Sequence, residues 1–155
     1  MRPIPLFIIA LLVVTVAQFV AQERVARWWA EPTDRGAVAT DCENCGDDVG
    51  VMLECDKGKN RARLSLMWGA QGSGDEGDIV DVALDVDGVS ETRKVRLQYQ
   101  GTLGQVPIID MALDDPLMAR LAGGTTFSFR TPEGANEVSL RGSARALETI
   151  RQACR

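Results

Sequence analysis

Histidine does not occur anywhere in this chain of 155 residues. Its absence excludes Ser-His-Asp and Cys-His catalysis, His-ligated zinc and haem, and pH sensing by imidazole. Basic tracts are missing as well: 17 lysines and arginines face 22 acidic residues, a formal charge of -5. The acidic excess grows beyond residue 30, because the first 30 residues hold three arginines and one glutamate. Such a chain does not suit a nucleic-acid partner. Aromatic residues make up only 5%. Cysteine occurs four times, and only one long apolar run exists. No cofactor is expected. The length fits one domain with a real core.

The apolar run sits at the N-terminus, in MRPIPLFIIALLVVTVAQFVAQERVARWW. From Ile4 to Ala21 it is interrupted only by Thr15 and Gln18, which is just long enough to cross a bilayer. Past it, Arg24, Arg27, Trp28 and Trp29 suit a helix emerging through the lipid headgroups, where tryptophan collects. A cleaved export signal is the alternative. Its best cut follows Ala17 with Thr15 at the -3 position, and a cut after Ala21 puts Phe19 there. Both readings carry residues 31–155 across the inner membrane. The expected organisation is a signal-anchor or transmembrane helix over 1–30, a linker and acidic loop over 31–50, and a periplasmic β-rich domain over 51–155.

Within the exported part the hydrophobic period is two. Val51, Leu53 and Cys55 share one face; Ala62, Leu64, Leu66 and Trp68 share another, with Ser65 opposite. Val80, Val82, Leu84 and Val86 alternate with Asp81 and Asp85. Asp87-Gly88 makes a hairpin turn, because both residues tolerate positive φ. Val95, Leu97 and Tyr99 form the next inward face, and Pro107 marks its strand as an edge. A short helix follows, with Asp115 as N-cap, Pro116 at its first position and Gly123 as its stop. Phe127 and Phe129, then Val138 and Leu140, line two more strands. The closing helix is capped by Ser143 and presents Leu147, Ile150 and Cys154 on one face. The fold class is α+β: a mostly antiparallel meander or sandwich with a short helix and a C-terminal helix.

Cys55 on an inward strand face and Cys154 on an inward helix face are natural disulfide partners in an oxidising compartment. The bond closes a loop of about 100 residues, worth roughly 4–5 kcal/mol in the chain-entropy model. That leaves Cys42 with Cys45, though four cysteines allow two other connectivities. A redox centre at C-x2-C fits poorly, because Asp41, Glu43, Asp47 and Asp48 surround the pair and raise a thiol pKa. A four-cysteine zinc site lacks a second knuckle, so no metal is expected. ALDVDGVSETRK imitates a calcium loop but places Ala83 and Lys94 where acids are needed. Asp81 and Asp85 are expected between Arg61 and Arg63 on one side and Lys94 and Arg96 on the other. That arrangement gives cross-strand charge pairing, or a charged binding face.

The tail DDPLMARLAGGTTFSFRTPEGANEVSLRGSARALETIRQAC resembles two groups of small exported proteobacterial proteins. These are the invasion-associated locus B family and the periplasmic proteins that accompany type VI secretion. The matching positions are Leu121, Gly123, Phe127, Val138, Leu140, Gly142, Ala146, Leu147 and Cys154. The invasion-associated family shows a cysteine pair before the short helix, and this chain has none there. The resemblance implies a secreted β-rich accessory protein of a Gram-negative cell and carries over no catalytic residue. The expected function is therefore a non-enzymatic periplasmic accessory or binding subunit. It is tethered to the inner membrane through residues 4–21 and partnered by other membrane or periplasmic proteins. A soluble binding protein and a C-x2-C thiol–disulfide protein are the alternatives.

Overall fold

The alternating segments fold as strands wherever a buried side chain regularly follows an exposed one. A computed structural model describes residues 27–42, 49–67 and 74–155. The expected membrane run, Arg24, Cys45 and Trp68 lie outside the described residues, among which no helix is long and apolar enough to cross a membrane. Nine strands are described: β1 (Trp29–Thr33), β2 (Gly36–Thr40), β3 (Val51–Asp56), β4 (Arg61–Leu66), β5 (Ile79–Val86), β6 (Val89–Tyr99), β7 (Gln105–Ala112), β8 (Thr126–Arg130) and β9 (Ala135–Ser139). Helix α1 (Pro116–Gly123) precedes β8, and α2 (Ser143–Cys154) closes the chain. The strands form one sheet in the order β1-β2-β3-β4-β7-β6-β5-β8-β9. Every pairing is antiparallel. The α+β reading and the two helices stand.

Residues 31–40, expected within a linker, are instead strand and turn. Trp29–Thr33 pairs with Gly36–Thr40, which pairs in turn with β3. β1 carries no alternation because Glu31, Pro32 and Thr33 are all exposed, and small side chains hide β2, where packing explains why they are small. Ala37 and Ala39 are buried in the core cluster, on strands that α2 packs against. Gly36 allows no side chain at all, since a Cβ there would lie 1.9 Å from the Cys55 carbonyl oxygen.

Pro107 does not mark an edge either, for β7 lies between β4 and β6. The β4 ladder starts at Ile108, so the proline sits just beyond it and removes no donor from that pairing. Two side chains keep their expected sides but not their expected burial: Ser65 is buried on the outer side, and Tyr99 is 60% exposed where β6 runs out toward the 3-10 turn at Gly101–Leu103.

One face of the sheet and the inward faces of both helices share a single apolar core. Leu117, Met118 and Leu121 come from α1; Ala146, Leu147, Ile150 and Cys154 come from α2. Asp115 caps α1 as expected, accepting from the Leu117 N–H at 2.9 Å. The cap of α2 is instead Gly142, at φ 85°. Ser143 is already helical, and its buried hydroxyl donates to the Leu121 carbonyl at 2.7 Å, joining the helices.

The first and last strands meet through Trp28. Its backbone N–H donates to the Arg141 carbonyl at 2.9 Å, and its indole Nε1 donates to the Ser139 carbonyl at 2.8 Å. Both edges are further blunted against strand addition. Pro32 gives β1 one N–H fewer, and the Glu137 N–H of β9 is taken by the Asn136 side-chain oxygen at 2.8 Å.

Candidate functional site

The three described cysteines are all buried and bonded. Cys55 and Cys154 are disulfide-bonded, with Cα atoms 6.0 Å apart, and both are buried. The bond ties β3 to the end of α2, and the Asn60 N–H reaches the Cys154 carbonyl beside it at 3.1 Å. Cys42 is also buried and disulfide-bonded. Next to it, the Asp41 carboxylate accepts from the Gly50 and Val51 N–H groups, each at 3.0 Å. Burial pushes the Asp41 carboxyl above its usual range, and those two backbone hydrogen bonds pull the other way.

The expected charged face exists as a face but not as a cluster. Register places Arg61, Arg63, Asp81, Asp85, Lys94 and Arg96 all on the side opposite the core. Yet β4 is not beside β5: β7 and β6 intervene, a separation of about 14 Å at the usual strand spacing. Connectivity beyond the hairpin decided this, and no local pattern could reveal it. Lys94 pairs with Asp81 at 2.9 Å across β5–β6, with both side chains largely exposed. Arg63 reaches Glu54 of β3 at 3.9 Å instead, and Arg96 donates to the Gly77 carbonyl at 3.1 Å. Asp85 accepts from the Ser90 hydroxyl and from the Gly88 N–H. These two bonds, the first above all, hold its carboxyl below the usual range.

A groove of about 640 Å³ opens on this outer face over β5, β8 and β9. Its floor follows from the register. Ser90, Asp85, Ser128 and Glu137 form one cross-strand row; Ala83, Arg130 and Ala135 form the next. Alanine and serine on neighbouring strands leave a depression that larger residues would fill. Arg130 and Glu137 flank it with opposite charges, and neither forms an ion pair with another described residue. The signal was legible as small outward residues between inward Leu84, Phe127 and Phe129.

The inward side of β6 holds a cluster that the alternation also implied. Continuing the Val95–Leu97 face backward reaches Arg93 and Glu91, opposite Val82 and Leu84. Arg93 donates two hydrogen bonds to Asp115 at 3.0 and 2.8 Å and one to Glu91 at 2.6 Å, while Arg120 pairs with Glu91. Half-buried, this network fastens α1 to the sheet. The two bonds from Arg93 hold the Asp115 carboxyl below its usual range, with burial opposing them.

The expected membrane-interface residues divide. Trp28 is a core residue, only 3% exposed, because it precedes β1 on the inward side. Arg27 and Trp29 remain at the surface. With Arg145 and Thr149 of α2 they line a cleft of about 310 Å³.

No family model matches the chain, and no curated protein does. Among solved structures, invasion associated protein B from Bartonella henselae superposes with a TM-score of 0.55 at 17% sequence identity. The match covers 81% of this chain and 92% of that one. The resemblance first carried by the C-terminal third therefore extends through the fold, and the chain is similar in architecture to invasion associated protein B.

Proposed function

We propose that this protein is a non-enzymatic accessory protein, held at the inner membrane by residues 4–21. Its domain would present the β5–β8–β9 groove to a protein partner in the periplasm. The groove is the observation that carries the reading. Its floor is shallow and polar, and its unpaired Arg130 and Glu137 suit the complementary charges of a polypeptide surface. Two further facts support it. Disulfides such as Cys55–Cys154 persist in an oxidising compartment, as export requires. The similar fold of an invasion-associated protein fits a small β-rich accessory role, although likeness at this identity speaks for fold alone.

A photo-crosslinking residue at Ser128, in the full chain expressed in a Gram-negative host, tests the reading. A discrete crosslinked species in the membrane fraction is expected, and Arg130→Glu should abolish it while leaving the melting temperature unchanged. Recovery of the protein only as a free soluble monomer, with no crosslink, would sink the proposal. The soluble binding protein would then be the better reading.

A further inference from the structure

The cleft between the start of β1 and the side of α2 gathers positive charge in an otherwise acidic protein. Arg27 and Arg145 come from chain segments more than a hundred residues apart, and both are exposed. Neither guanidinium has a carboxylate partner among the described residues. Their meeting is built in by backbone. Gly142 has no side chain, and Arg27 lies across it, for a Cβ at Gly142 would meet the Arg27 side chain at 2.8 Å. Beside them Trp29 is half-buried, an aromatic ring joined to a polar indole N–H. Gathering like charges without a counter-charge costs stability unless an anion neutralises them.

Position supplies the anion. Arg27 follows the end of the apolar run at Ala21 by six residues. Fully extended, six residues reach about 20 Å. If the run spans the bilayer, the cleft therefore stands no farther than that from the lipid phosphates. We infer that Arg27, Arg145 and Trp29 form a headgroup-binding surface that seats the domain on anionic phospholipid. The inference rests on the proposed tether and adds to it a fixed orientation of the domain. Each arginine near an anionic surface strengthens binding by about fivefold.

The test uses the full chain in nanodiscs of brominated phosphatidylcholine, with or without phosphatidylglycerol. Tryptophan quenching by the brominated lipid is the readout. Quenching is expected to rise when phosphatidylglycerol is present and to fall back at high salt. The rise should vanish in Trp29→Phe and shrink about tenfold or more in the Arg27→Gln/Arg145→Gln double variant, whose melting temperature should be unchanged. Equal quenching in both discs, with the protein still inserted, overturns the headgroup surface and leaves the tether standing. Protein that elutes free of both discs overturns the tether and the inference together. A response to inorganic phosphate as large as that to phosphatidylglycerol would make the cleft a soluble-anion site, and would equally overturn the membrane assignment.

Discussion

At Trp28 one side chain holds the two ends of the sheet together, through its burial and its indole bond to the Ser139 carbonyl. Trp28→Phe keeps most of the apolar contact and loses the hydrogen bond, so a loss of about 1 kcal/mol is expected in urea unfolding. Trp28→Ala adds a cavity and should cost about 3–5 kcal/mol. Equal effects would mean that the hydrogen bond, and not the ring, holds the ends. Asp115 is the second decisive residue. Its folded pKa is held below the ordinary carboxylate value, first by the Arg93 hydrogen bonds. Its stabilising contribution is therefore complete above about pH 4 and lost as pH falls through the lower folded value. Asp41 works in reverse: its folded pKa is raised by burial, so its ionisation opposes folding as pH rises past the unfolded value. Asp115→Asn should cost about 1–2 kcal/mol at neutral pH and flatten the acid limb of a stability–pH profile. An acid limb as steep as in the parent protein would mean that other carboxylates carry it.

Among the elements, the packing of β2 between β3 and α2 is the least forgiving. Gly36→Ala drives a methyl into the Cys55 carbonyl and should destabilise by about 1–3 kcal/mol or prevent folding. The disulfide joins the same elements. Cys55→Ser and Cys154→Ser should each cost several kcal/mol, roughly the 4–5 kcal/mol of the closed loop, as read from thermal melts. The double variant should be little worse than either single one, because one bond is removed. Changing Cys42 and Cys45 together should cost much less. Losses from Cys42→Ser as large as those from Cys55→Ser would contradict this. How far these elements were legible depends on side-chain size and reach. β3 to β6 announce themselves by alternating large apolar residues, and the same faces point Cys55 at Cys154. β2 stays silent because the core at Ala37 and Ala39 and the β3 backbone at Gly36 admit only small residues, and β1 because Glu31, Pro32 and Thr33 are exposed. The order of strands beyond each hairpin is set by long-range packing. For that reason Arg61 and Arg63 lie away from Asp81 and Asp85, although the alternation of the strands suggests neighbours.

As a whole molecule, the domain is a sheet whose edges are tied or blunted, with a polar groove on its outer face and a basic cleft beside α2 where the chain enters. Tied edges favour partners that bind a face over partners that add a strand. The groove at Ser128 and Arg130 is where such a partner is expected. Cys42, Cys55 and Cys154 are buried and bonded, which fits a structural use, so an insulin-reduction assay should show no activity above background. Turnover would instead support the thiol–disulfide alternative. Tethering is the claim on which the orientation of both surfaces depends, and the intact mass of the protein recovered from cells tests it most directly. A mass beginning at Met1, found in the membrane fraction, is predicted. A soluble species beginning near Gln18 would contradict it.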